Sequence, residues 1–215
     1  MTEEQPKLDG RVVRAQRLRE ERRNQVLTIA RRLFAERGYH ATSIHDIIDD
    51  ADIARGTFYL YFESKRAIFE ELLEGFFVTL SQSLRRVDLS PGASPPLEQM
   101  QDNVTRVLSL LEGEREMACI LIRHAVGLDP EFDRKLADFY GRVAALIARA
   151  LRSGIAMGLV RPLDPDVVAV CILGSVKEVC DRVLIAGAAP TDLPRLGREL
   201  LEFNLLGVFR QPTGA

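Results

Sequence analysis

Residues able to hold a metal or run nucleophilic chemistry are scarce in this chain of 215 residues. Three histidines stand at 40, 45 and 124, and none has a glutamate three positions before it. That excludes the Glu-x-x-His pairs of a di-iron helical bundle. The three cysteines, Cys119, Cys171 and Cys180, form no Cys-x-x-Cys pair, and zinc-ligand spacings are absent. All three fall in apolar, helix-like stretches and read as small core residues of a reducing compartment. No nucleophile has a neighbouring base, so an enzyme finds no support; no catalytic residue, metal or cofactor is expected. No apolar run approaches ~18 residues, which removes a transmembrane helix. The N-terminal MTEEQPKLDGRVVR has no apolar h-region, and a cytoplasmic protein is the expectation. An excess of charge is missing too: 29 basic against 31 acidic residues leave −2, with no global basic field.

What is present suits a globular protein with a real core, with 47% apolar and 28% charged residues. The mean charge hides an asymmetry. Residues 10–32 carry eight Arg against two Glu, whereas residues 41–54 carry four Asp and no Lys or Arg. A basic segment ahead of a compact domain suits phosphate, although for residues 1–15 a solvated, disordered tail is the simpler reading. A helix reads from about Arg19 to Arg37, with Val26, Ile29, Ala30, Leu33 and Phe34 on one face and Gly38 as its C′ residue. A short helix, Ile44 to Ala51, follows, with Ser43 and Asp46 as a variant capping box. A second short helix runs over 54–60, and Ser64 caps a long one over about 65–86. The stretch LSPGASPP (89–96) is a linker. Helical patterns then occupy about 97–112, 114–127, 131–157, 165–187 and 192–209. No stretch alternates as a strand does. The fold class is all-α, an N-terminal three-helix helix-turn-helix domain plus a larger C-terminal helical domain for ligand binding and dimerisation. The expected boundaries are a flexible basic arm over 1–18, the helix-turn-helix domain over 19–64, and the second domain over 65–215.

Two short helices joined by a tight turn after a basic amphipathic helix have helix-turn-helix geometry. The run TSIHDIIDDADIARGTFYLYFESKRAIFEELL (42–73) closely resembles the DNA-binding segment of the TetR family of bacterial transcription regulators. The match covers about residues 19–73, with GTFYLYFESK as its specific core. The residue chemistry supports it independently. A helix in the major groove needs a small tip, and Arg55-Gly56-Thr57 provides one, with Arg55 able to fork onto guanine. Tyr59 and Tyr61 carry hydroxyls suited to phosphate oxygens. Lys65 adds a cation at a helix N-terminus. By the resemblance, Thr42 and Ser43 touch the DNA backbone, His45 occupies a base-reading position, and Leu60 meets a thymine methyl. His45 reads equally well as a solvated histidine. Phe58 and Phe62 read as core, and Tyr39 as a packing residue. Two departures from the family pattern stand out. Asp52 occupies the turn position where Gly is common, and Ala54, which cannot cap, stands where Ser or Thr is common.

A reader of this size needs two copies. Residues 167–176 (VVAVCILGSV) carry no charge, so their helix should be buried on more than one side. Ile172, Val176, Val179 and Val183 on the 165–187 helix, with Leu193, Leu196, Leu200 and Phe203 on the last helix, form the candidate dimer interface. Gly197 and Gly207 would permit close approach there. The resemblance implies a four-helix bundle made from two such pairs. It also implies a ligand in the second domain that shifts the 65–86 helix and so the spacing of the reading heads. Candidate cavity residues are Phe76, Phe77, Leu80, Met100, Val104 and Leu108, then Met117, Leu121 and Phe139; each one alone reads more simply as core. Arg123 and His124 end an apolar run and could meet an anionic ligand group or reach solvent. Apolar lining with scattered Arg at 106, 123 and 142 suggests a lipophilic, acyl-CoA-like effector. The expected partners are a palindromic double-stranded DNA operator, a second copy of the chain and a small-molecule effector, with no membrane. The expected role is a ligand-released repressor. An activator, or a regulator whose C-terminal domain binds a protein, is the alternative.

Overall fold

The computed structural model describes residues 10–123, 130–187 and 191–206, and every element among them is helical. The elements are α1 (Gly10–Arg37), α2 (Ile44–Ala51), α3 (Arg55–Tyr59), α4 (Lys65–Ser83) and α5 (Pro96–Gly113). They continue with α6 (Arg115–Arg123), α7 (Pro130–Ala156), α8 (Pro165–Val179), a π-helical segment (Cys180–Ile185) and α9 (Leu193–Leu206). The chain divides into two compact units at Leu72/Leu73, within α4. That is about two turns beyond the expected division at 64, because the first part of α4 packs into the N-terminal core.

In the first unit, the face of α1 read from the sequence is the core: Val26, Ala30, Leu33 and Phe34 are buried with Ile47 and Ala51 of α2, Phe58 of α3 and Phe69 of α4. The rings of Phe34 and Tyr39 meet edge-on at 5.2 Å, and Tyr39 and Phe69 lie 5.3 Å apart, so Tyr39 is a packing residue. Gly38 ends α1 at φ 87°, its N–H bonded to Phe34 O at 3.0 Å, as the C′ position requires. The helix begins earlier than Arg19. Residues 10–18 are helical, which corrects the expectation of an unstructured arm there; Arg, Gln, Leu and Ala are good helix formers.

In the second unit, α5 lies against α9, α7 against α8, and α6 against the π-helical segment. One core cluster joins Leu108, Cys180, Leu184, Leu193 and Leu200; another joins Ala148, Leu151 and Ala169. The last part of the expected 165–187 helix widens into the π segment, where the Arg115 guanidinium donates to Ile185 O at 2.7 Å. α4 ends at Ser83, three residues short of expectation. The chain beyond is tied to α5 by side chains: Asn103 accepts from Arg85 N–H at 2.8 Å and donates to Arg85 O at 2.7 Å.

Candidate nucleic-acid interface

The α2–turn–α3 geometry follows from local chemistry. Ser43 caps α2: its hydroxyl accepts from Asp46 N–H at 3.1 Å, and the Asp46 carboxylate accepts from Ser43 N–H at 2.7 Å. The Ser43 hydroxyl and N–H hold the Asp46 carboxyl below its ordinary range. Asp52 closes α2 at φ 49°, the one non-glycine residue with positive φ among the described residues. The left-handed turn is therefore made with Asp in the place where glycine is common. Ala54 begins α3 with no side-chain cap, as its methyl dictates.

On α3 the outward side chains form a compact face. Arg55, Gly56, Tyr59 and Leu60 are exposed, Leu60 to 67%. Thr57 and Tyr61 are half-buried. The Arg55 guanidinium lies 5.9 Å from the Tyr59 ring centre, so cation and phenol share one edge. A Cβ placed on Gly56 would meet no atom within 4 Å. Nothing inside the protein requires a glycine at 56, and the space it leaves is on the outside. Phe58 and Phe62 are buried, the core residues that fix this face.

Of three residues expected at the DNA backbone, Thr42 and Lys65 are committed inward, and Ser43 is exposed but engaged in capping. Thr42 is fully buried, and its hydroxyl is directed at Gly38 O (2.9 Å) and Leu33 O (3.2 Å), satisfying carbonyls at the end of α1. Lys65 donates to Tyr39 O at 2.6 Å and Thr42 O at 2.7 Å, with its ammonium 4.3 Å from the Tyr39 ring centre. The expectation of a free cation at the start of α4 is corrected: Lys65 pins α4 to the end of α1. The Ser43 hydroxyl also lies 2.6 Å from the carboxylate of Asp46, so capping occupies it. His45 is exposed on α2, with Nδ1 3.0 Å from Asp49 Oδ1.

The second unit sorts the remaining candidates. Phe76, Leu80, Leu108, Met117, Leu121 and Phe139 are buried, and Phe77, Met100 and Val104 are half-buried. The Phe139 ring lies 6.2 Å from that of Phe76, tilted, and 6.2 Å from that of Phe77, edge-on. Leu108 and Val104 belong to the core shared with α8 and α9. Arg123 pairs with Asp181 at 2.5 Å, which spends its charge on the π-helical segment; His124 lies outside the described residues. Arg142 pairs with Glu74 and covers the Phe77 ring at 3.7 Å. Arg106, in contrast, has a buried Nε with no acceptor among the described residues, where the buried Ser81 hydroxyl also has no partner. The candidate interface residues mostly face inward: Val176, Val179, Leu193, Leu196 and Leu200 pack on α5 and one another, and Ile172 packs on the core shared by α7 and α8. Val183 is half-buried, and Phe203 stays 54% exposed. Gly197 serves an internal approach, since a Cβ there would lie 3.0 Å from Thr105 Oγ1 of α5; Gly207 is outside the described residues. Of the cysteines, Cys180 is core, its thiol pushed up to about 12 by burial, whereas Cys171 is exposed on α8, against expectation.

Comparison with known proteins settles the family. Residues 26–72 match the profile of bacterial regulatory proteins of the tetR family, and residues 93–181 match the tetracyclin repressor-like C-terminal domain. The transcriptional repressor KstR2 of Mycobacterium tuberculosis is 33% identical over 150 residues, 68% of this chain and 74% of its own length. The chain belongs to the TetR family. The transcriptional regulator HbdR of Aromatoleum sp. (strain CIB) is 28% identical over 154 residues, 71% of this chain and 66% of its own. Among solved structures, the transcriptional regulator FadR from Bacillus subtilis in complex with stearoyl-CoA superposes with a TM-score of 0.71 at 23% identity, covering 86% of this chain and 99% of that one.

In this TetR-family chain the residues that sequence reasoning missed lie beside those it named. Arg19 donates to Leu60 O at 3.4 Å, Arg23 pairs with Glu71, and Gln25 caps α2 by donating to Ala51 O at 3.2 Å. Lys177 of α8 sits with its ammonium 3.8 Å from the Tyr140 ring centre, and burial lowers its pKa. Its position at the end of a charge-free run was the available signal. The outward face of α8 is Val167 and Val170, 59% and 62% exposed, with Cys171 and Gly174. No helix among the described residues is long and apolar enough to cross a membrane.

Proposed function

We propose that this TetR-family regulator is a homodimeric repressor that reads DNA with α3 and is released by an apolar ligand bearing an anionic head. The observation that carries the DNA reading is the open space over Gly56, flanked by exposed Arg55, Tyr59 and Leu60. A backbone without a side chain there lets α3 approach base edges, Arg55 supplies a fork for guanine, and Leu60 an apolar contact for a thymine methyl. Tyr59, Tyr61 and His45 stand at the rim, placed for phosphate or groove contacts. Ser43, Thr42 and Lys65 serve by fixing α2 and α4.

The dimer face is the outward side of α8 and α9. Val167, Val170, Cys171 and Gly174 recur at helical spacing without a charge, and Phe203 of α9 is exposed. The two helices are joined by the Ser175 and Asn204 side chains at 3.2 Å. Two recognition helices then address two half-sites of a palindrome.

An acyl-CoA is the effector class to test first. The FadR relative in fold was solved with stearoyl-CoA. In this chain the aromatic cluster around Phe139 supplies apolar surface, and Arg106 supplies a spare Nε–H donor that an anionic or carbonyl group would satisfy. Release requires the ligand to bind the DNA-free state more tightly than the DNA-bound one, and DNA then weakens the ligand by the same factor. Fluorescence anisotropy on the duplex upstream of the chain's own gene, at fixed salt, tests this. Tight binding lost on adding stearoyl-CoA supports the reading. Binding that persists through a panel of acyl-CoAs overturns the ligand class and favours a protein partner for the second domain.

A further inference from the structure

The N-terminal end of α1 has no role in the core. All side chains from Val12 to Arg22 are exposed, and buried residues of α1 begin at Val26. The tetR profile also begins at residue 26, so this stretch lies outside the part matched to the family. Val12–Arg22 is about three turns of helix with no buried side chain, a length that is marginal alone in water. Such a helix persists best where a partner lies along it.

Its charges say which partner. Arg14, Leu18 and Arg22 recur at four-residue steps and share one face. Glu20 falls on the opposite side, and Glu21 is taken by Arg17 at 3.0 Å. Arg14 makes no hydrogen bond or ion pair among the described residues, and Arg22 bonds only the neutral amide of Gln25, at 2.8 Å. One turn away, Arg19 reaches Leu60 O, which places this helix beside the end of α3 that carries the reading face. Arg14 and Arg22 are about 12 Å apart along the axis, the rise of three to four nucleotides on one strand at about 3.4 Å each.

We propose that the exposed N-terminal helix of α1 is a second DNA-binding element, a phosphate clamp in which Arg14 and Arg22 grip the backbone flanking the site read by α3. The proposal rests on the DNA reading of α3. The clamp adds affinity without sequence preference, because phosphates carry none.

The test uses the full chain with Arg14→Gln and Arg22→Gln together, glutamine keeping helix propensity. Binding is followed by anisotropy on the duplex upstream of its own gene and on a scrambled duplex of the same length. In the proposed homodimer the variant loses four phosphate contacts, two from each protomer, which flattens the slope of log K against log salt by about 3.6, so the fall in affinity between about 50 and 200 mM salt shrinks about 150-fold. The preference for the native duplex over the scrambled one stays as it was. Arg149→Gln with Arg161→Gln, exposed residues of the second unit, removes the same charge elsewhere and leaves the slope near the wild-type value. An unchanged slope in the Arg14/Arg22 variant, or an equal change in the control pair, overturns the clamp. Wild-type protein that binds both duplexes equally overturns the reading role of α3, while the slope still decides the clamp.

Discussion

The reading unit and the regulatory unit mislead a sequence reader in opposite directions. In the first, polar residues that look like surface contacts are internal: Thr42 is fully buried, and Lys65 is bonded to two carbonyls. In the second, apolar residues that look like a subunit interface are internal as well: Leu193 and Leu200 complete the core against Leu108. The outward surfaces are Gly56 with its exposed neighbours on α3, and Val167 with Val170 on α8. The proposed function rests on the residues left over once the core has taken what it needs.

The largest expected effect breaks the comparison on the regulatory side. Leu200→Ala should cost about 2–5 kcal/mol of stability in urea unfolding, as a buried leucine in a filled core does. A mere interface residue would change self-association and leave a folded protomer. Next comes Lys65→Met, expected to lose about 2–3 kcal/mol, because carbonyls of Tyr39 and Thr42 lose a charged donor. If Lys65 served only phosphate, the same variant would melt like the wild type and fail only on DNA. Val170→Asp sharpens the other half: if α8 forms the proposed dimer face, light scattering should show a wild-type dimer and a variant protomer with unchanged helical circular dichroism.

The smallest effect concerns pH. The Asp46 carboxyl is held low by the Ser43 hydroxyl and N–H, so its folded pKa is below its unfolded one. Its contribution is present above the unfolded value, near about 3.9, and is lost as pH falls through the folded value. The difference in Tm between wild type and Asp46→Ala should therefore be constant near neutrality and close as the pH drops below about 4. A difference that persists in acid would mean that Asp46 contributes through its uncharged form.

Much of the reading unit was legible because its chemistry is local. The capping box at Ser43, the left-handed Asp52 and the uncapped Ala54 each follow from one residue type at one position. The internal roles of Thr42 and Lys65 depend on the distant end of α1, which spacing along the chain does not reveal. In the regulatory unit, periodicity identified the helices but not their partners. The stripe Leu193, Leu196 and Leu200 would suit a second copy as well as α5, and the close contact of Gly197 with Thr105 shows that α5 takes it. The π-helical widening after Val179 was not legible, since its Arg115 partner lies 70 residues away in sequence.

The most direct test of the division between internal and outward residues is Gly56→Ala, measured for both stability and DNA affinity. A methyl at 56 meets no protein atom and favours the helix, so unfolding in urea should be unchanged or harder by about 0.5–1 kcal/mol. On the duplex upstream of the chain's own gene, affinity should fall by about tenfold or more, as close approach to the bases is blocked. Affinity equal to wild type, with the same gain in stability, would mean that α3 does not enter the groove at this point and would contradict the account.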